Sequence, residues 1–464
     1  MRFVMALGVV ALGAGCAHSP RAADAAAPDP ASRARQLSAE AEQAYDSLDF
    51  ERCAERFRAS GEVAGEGPDR SESFYRAAGC ASLAGHADAA VEVLKRAVQA
   101  GYYDADHLEY DPELAALHPL PAWSGIVAEA RANLAKAPEA PFMTMTLMGV
   151  DAFGSRKVDR ETVQRLMGLE VGKPVVHSAA IFKQKEAALR EQYGLAFARA
   201  SMSIYFAEER KGTAFVVMDM VDAEDASRLR FLPEPKGHPT DPEGLLARWS
   251  DYVERLQQLQ MQGKLSEDSS CKKVAHCIGG FGHPDLAPFE PEFLAKVPGQ
   301  LDALTAVLRE EADPEKRVSA AYLLAYAPTV EETAQRLQPF IRDSQSSVRN
   351  SVLRVLTATQ EAATKPLVDV ATVADAVAMP TATDRNKATY LLSYLLEDLS
   401  PEVLKAHRAG LLRQLGERLV EMSALTLPIN RDPAVLVLKH LSGEKYETAD
   451  EWRAWLARQP KTAG

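Results

Sequence analysis

The usual catalytic signatures are missing from this chain. GxSxG, HExxH, GxxxxGK[ST] and GxGxxG are all absent. That removes the serine nucleophile elbow, the zinc-protease helix, the phosphate cradle and the dinucleotide turn as starting points. The glycine-rich run IGGFGHP (278–284) follows no strand and opens no helix, so it reads as a tight turn. A basic excess is missing too. Lys and Arg number 53 against 65 Asp and Glu, a net charge of −12, whereas a nucleic-acid surface needs clustered cations. No stretch reaches the ~20 apolar residues of a membrane span. Cysteine is scarce, with five in 464 residues. An apolar share of 47% with 25% charged residues belongs to an ordinary folded chain of several domains.

The N-terminal fifteen residues, MRFVMALGVVALGAG, carry one charge, Arg2, before a small and apolar run. A stretch this short is a secretory signal (1–15), not a span. Gly13, Ala14 and Gly15 precede Cys16, and small residues before a cysteine resemble the lipobox of bacterial lipoproteins. The resemblance implies acylation of Cys16 and an envelope location. The plainer alternative is an ordinary signal peptide with Cys16 incidental. Ala17, where an Asp resembles the inner-membrane retention signal, points to the outer membrane. Residues 16–33, rich in Ala, Pro and Asp, read as a flexible tether.

The other cysteines form two sequence-local pairs, Cys53 with Cys80 and Cys271 with Cys277. Four cysteines allow three connectivities, and the other two would join separate domains. An oxidising envelope therefore favours the local disulfides.

Residues 34–67 and 71–104 can be laid over each other. The second stretch places Phe74, Ala77, Ala78 and Ala81 on one helix and Ala90, Leu94 and Ala97 on the next, around a Gly85 turn, and Leu37, Ala41, Ala44, Cys53 and Phe57 of the first fit the same spacing. Small residues facing larger ones let antiparallel helices pack closely. The pattern resembles the tetratricopeptide repeat and implies a helical domain over 34–135. A generic array of helical hairpins is the alternative.

Over 141–224 the period changes. FMTMTLMGV alternates like a half-buried strand. Asp159 caps a helix to Met167, and Ser178 starts another that ends at Tyr193-Gly194. The strand-like runs FARASMSIYF and TAFVVMDMV follow. This order resembles a polypeptide-transport-associated (POTRA) domain, which implies client binding along a sheet edge. A spacer of the same α+β fold is the alternative.

Asp241-Pro242 opens a helix whose stripe Leu245, Leu246, Trp249, Val253, Leu256 and Leu259 reads as core-packing rather than partner-binding. A polar loop then completes a connecting segment over 239–299. Cys271, His276, Cys277 and His283 in that loop are zinc-ligand types, but CxxxxxC is wider than a zinc knuckle and a disulfide competes.

From 300 to 460 four arginines recur: Arg317, Arg349, Arg385 and Arg431, spaced 32, 36 and 46 residues apart. Each precedes an apolar set, such as Val352, Leu353, Val355 and Leu356 after Arg349. An Arg heading an apolar helix resembles the HEAT repeat, which implies a solenoid stitched by these arginines to acids nearby, Asp313, Asp343, Asp384 and Asp432. Trp452 and Trp455 would cover its open end.

The fold expected is mostly α with one small α+β module: tetratricopeptide-like hairpins, a POTRA-like domain and a C-terminal HEAT-like α-solenoid. The expected role is a lipid-anchored envelope scaffold or assembly factor that binds other envelope proteins through its repeats. It would use no cofactor, nucleic acid or small-molecule substrate, and would not be an enzyme. The rival expectation is a hydrolase or metal-dependent enzyme with its site in the central loop.

Overall fold

The computed structural model of the chain describes residues 29–136, 145–205, 210–265 and 274–459. Cys16, the signal and most of the tether lie outside them, as does Cys271. The described chain is mostly helical with one small four-stranded sheet. It divides into two compact units, one of residues up to 152 with 157–218, the other of 153–156 with 219 onward.

The first unit opens with α1 (Pro30–Asp46), α2 (Phe50–Val63), α3 (Pro68–Leu83) and α4 (Ala87–Gln99). Helix α1 begins inside the expected tether, because Asp29 caps the free amides of Ala31 and Ser32 and Pro30 suits the first turn. Each of these helices packs on the next. Small residues let them approach: a Cβ on Gly61 would come within 2.7 Å of the Phe74 ring. Ala41, Ala44, Cys53, Phe57, Ala77 and Cys80 form one buried cluster. Helices α5 (Ala105–Tyr110) and α6 (Trp123–Leu134) extend the array.

The α+β module contains β1 (Met145–Phe153), α7 (Arg160–Met167), β2 (Pro174–Val175), α8 (Ala179–Tyr193), β3 (Leu195–Tyr205) and β4 (Thr213–Asp222). The caps fall where local chemistry puts them: Asp159 accepts from Thr162 N, Ser178 from Ile181 N, and Gly194 ends α8 in the left-handed region. Sheet order is β2-β1-β4-β3. Central β4 is buried from Ala214 through Asp222, while β3 is an edge. The two-residue β2, paired antiparallel with β1, is too short to leave a sequence pattern.

In the second unit α9 (Leu245–Met261), α10 (Phe289–Lys296), α11 (Leu301–Glu310), α12 (Pro314–Leu323), α13 (Val330–Leu337), α14 (Ser346–Glu361), α15 (Val370–Val377), α16 (Ala382–Glu397), α17 (Pro401–Ser423), α18 (Pro428–Ser442) and α19 (Ala449–Ala457) follow in order. Helix α9 starts at Leu245 and not at Pro242, because Glu243 takes a positive φ. Asp241 still caps it from a distance, accepting from Leu246 N and Ala247 N. The pairs α11/α12, α13/α14, α15/α16 and α17/α18 stack so that α12, α14, α16 and α18 pack in sequence. The α9 stripe and α10 share one apolar core with this array, which runs from Leu245 to Trp455. The connecting segment is thus part of the array's own core. Trp452 and Trp455 are buried, and α19 packs on α17.

Candidate functional site

The four recurrent arginines each occupy the fourth position of a helix, α12, α14, α16 or α18. Three of them are buried: Arg317 and Arg385 are 0% exposed and Arg349 is 3%. Arg317 donates through Nη1 to the carbonyls of Glu311 (2.7 Å) and Ala312 (3.0 Å), and through Nη2 to Asp343 (3.0 Å). Arg349 repeats the pattern one pair further on. It holds the carbonyls of Asp343 (2.7 Å) and Ser344 (3.0 Å), and its Nε and Nη2 both lie 2.9 Å from Asp384 Oδ2. Each guanidinium therefore ties the turn before its own helix to the acid of the next pair. This satisfies buried carbonyls and balances a buried carboxylate at one stroke.

The ladder ends differently from the sequence expectation. Arg385 binds the Pro380 carbonyl, but its carboxylate is Asp219, 2.8 Å away near the end of β4. Its guanidinium also lies 3.7 Å above the Phe153 ring. Burial raises the Asp219 pKa while the Arg385 charge opposes the rise. Arg431 was expected to continue the ladder and does not. Its side chain is 41% exposed and pairs with adjacent Asp432 at 2.9 Å. Among the described residues no further helix pair stacks on α18 to supply the next acid, because α19 packs on α17 instead. Of the four acids, Asp343 and Asp384 make the stitches. Asp313 only caps α12, by accepting from Glu315 N.

Residues 228–238, which fell between the expected domains, form a strap along this same edge. Arg228 donates to the Ala378 carbonyl (2.9 Å), Leu232 N to Arg342 O (2.7 Å), and Gly237 N to Glu310 O (2.7 Å). Ala312 N returns a bond to Gly237 O (2.8 Å). The strap thus crosses the turns before α16, α14 and α12 in reverse order, and Phe231 lies 4.1 Å beneath the Arg349 guanidinium. Burial lowers the pKa of Arg228 to about 10, aided by Arg418 and Arg385. The signal was there to read in FLPEPKGHP. Proline at alternate positions enforces extended backbone, and Phe-Leu is too apolar for a solvated linker.

In the first unit Cys53 on α2 and Cys80 on α3 are disulfide-bonded, with Cα atoms 5.8 Å apart. Nearby lies a polar network no motif announced. Tyr75 donates to Asp111, His107 Nε2 lies 2.8 Å from the Tyr75 hydroxyl, and Glu113 accepts from Tyr45 and from Ser178 (2.7 Å). Burial raises the pKa of both Asp111 and Glu113, and their mutual repulsion adds to the rise at Glu113. These groups satisfy one another. At edge strand β3, the α8 side chains already engage the backbone: Glu186 accepts from Ala200 N (2.7 Å) and Arg190 donates to Ala198 O (3.1 Å).

The described members of the central-loop cluster, His276, Cys277 and His283, are engaged separately. His276 stacks on Tyr322 with ring centroids 5.4 Å apart, and burial lowers its pKa to about 3. His283 Nδ1 accepts from Asp285 N at 3.2 Å. Cys277 is buried and disulfide-bonded, while Cys271 lies outside the described residues. Among the described residues no group of three or more His, Cys, Asp or Glu is placed to hold a metal ion. No described helix is long and apolar enough to cross a membrane. Comparison with protein-family models, with curated proteins and with solved structures finds no match to this chain.

Proposed function

We propose that this protein is a lipid-anchored scaffold or assembly factor of the bacterial envelope, which binds other proteins through the faces of its two helical arrays. In this reading α1–α4 are tetratricopeptide-like hairpins, the α+β module is POTRA-like, and α11–α18 are HEAT-like pairs. Cys16 carries the lipid, and the protein faces the periplasm or cell surface from the outer membrane. The observation that supports it best is the arginine ladder. Buried charge pairs from turn to turn hold successive helix pairs in fixed register, and a stiff array presents a preformed surface that loses little entropy on binding.

Site-specific photo-crosslinking in cells tests the proposal. A photoreactive residue replaces Asn350, half-buried on α14, or Glu417, exposed on α17. Discrete crosslinked partners at Asn350, fewer at Glu417, and a membrane-bound pool that becomes soluble in Cys16→Ala are expected. Absence of any discrete crosslink at either position sinks the scaffold reading. Persistent lipid labelling of Cys16→Ala sinks the anchor.

A further inference from the structure

The stacked helices α12, α14, α16 and α18 each bury most of their surface and leave one stripe partly open. Tyr322 lies on that stripe of α12, Arg354 on that of α14, and Lys387 and Tyr390 on that of α16, all half-buried. The Thr357 hydroxyl lies 3.5 Å from the Lys387 carbonyl, which sets the Arg354 stretch of α14 against the start of α16. His276 stacks on Tyr322 and lies within reach of the Arg354 charge.

What distinguishes this cluster is that the acid acting on Lys387, Asp384, is already held by Arg349. Arg317 and Arg349 each have a buried carboxylate. Among the described residues, Arg354 and Lys387 form no ion pair. Arg354 Nε is buried without a hydrogen-bond partner, and Lys387 Nζ reaches only the Thr383 carbonyl, at a long 3.5 Å. Burial, reinforced by Arg354, lowers the Lys387 pKa to about 7. Two like charges side by side and half-desolvated weaken the fold. They occur here in a chain whose net charge is −12 and which has acids to spare. Cations left without an ion pair among the described residues suit a partner of opposite sign.

We propose that this face binds an acidic segment of a partner protein, with a carboxylate seated between Arg354 and Lys387 and neighbouring side chains resting on Tyr390. The inference rests on the reading of the array as a protein-binding surface and names the chemistry of what it binds. A narrow extended segment can reach half-buried cations between helices, whereas a flat lipid surface meets projecting ones. Tyr390 adds apolar contact area with a polar tip, the usual composition of a recognition surface.

The test uses the full chain in detergent and a fluorescein-labelled oligoglutamate peptide, with oligolysine as control, read by fluorescence anisotropy at low and moderate salt. The expected result is binding of oligoglutamate alone, weakened about tenfold or more by Arg354→Gln and by Lys387→Gln, and abolished by both. Each substitution relieves an unpaired charge, so Tm should stay level or rise. The inference is overturned if wild type does not bind oligoglutamate, if the substitutions leave binding unchanged, or if either lowers Tm, which would make the cations structural. Phosphatidylglycerol vesicles that displace the peptide and lose binding in the same variants would assign the site to lipid and overturn it too. The Asn350 crosslinks separate the two readings. Crosslinks that persist without peptide binding remove this inference alone, and their absence in wild type removes the scaffold reading.

Discussion

Replacing Arg349 with Ala removes a side chain that is 3% exposed and holds four hydrogen-bonding contacts. The carbonyls of Asp343 and Ser344 lose their donor, and the Phe231 ring of the strap loses the cation above it. Asp384, 0% exposed, keeps the Thr381 hydroxyl at 2.6 Å and the weaker pull of Lys387 against a full negative charge. Breaking a buried pair by deleting one partner costs about 3–5 kcal/mol, because the remaining charge is stranded. An exposed pair is worth roughly 0–1 kcal/mol, so Arg431→Ala, which exposes nothing buried, serves as the internal control. Urea unfolding followed by tryptophan fluorescence is well suited to the comparison. Three of the four tryptophans, Trp249, Trp452 and Trp455, lie in the second unit, and only Trp123 reports on the first. For a unit of this size the expected loss lowers Tm by on the order of 10 °C. The double variant Arg349→Met, Asp384→Asn should recover much of it, since neither charge is then left alone. If Arg349→Ala costs no more than Arg431→Ala, the ladder does not stitch the array and the reasoning fails.

Two further expectations follow from the same geometry. Gly237→Ala places a Cβ 2.7 Å from the Glu310 carbonyl oxygen, so the strap should loosen at a cost of about 1–3 kcal/mol; faster tryptic cleavage after exposed Lys236 measures it, and an unchanged rate refutes the strap's docking. In the first unit burial raises the folded-state pKa of Glu113 above its unfolded value of 4.5, so the folded state binds more protons there and stability falls as pH rises through that window. Glu113→Gln should flatten the decline of Tm as pH rises above about 4.5, and parallel slopes for both proteins would count against it.

Much of the local structure was legible because its causes are local. Asp159 and Ser178 cap amides three residues away, Gly194 terminates the helix it follows, and the α9 stripe repeats at helical spacing. Such rules need only neighbours in the chain. The heading arginines were legible for the same reason, since all four stand at one position of a helix. What each arginine binds was not. Asp219 meets Arg385 across 166 residues and Arg228 meets Ala378 across 150, and no period in the sequence encodes a contact that only the stacking of helices creates.

The sequence alone determined the capped ends of helices such as α7 and α8, and that apolar stripes would stack helices into arrays, because periodicity and caps act within a turn or two. Only the tertiary structure decided where the ladder stops, with Arg385 turned to a strand and Arg431 left at the surface. It also turned an apparent linker into a strap across three turns and left Arg354 and Lys387 together with no ion pair among the described residues. Burial and the pairing of charge are properties of a neighbourhood in space, and that neighbourhood exists only once the chain has packed.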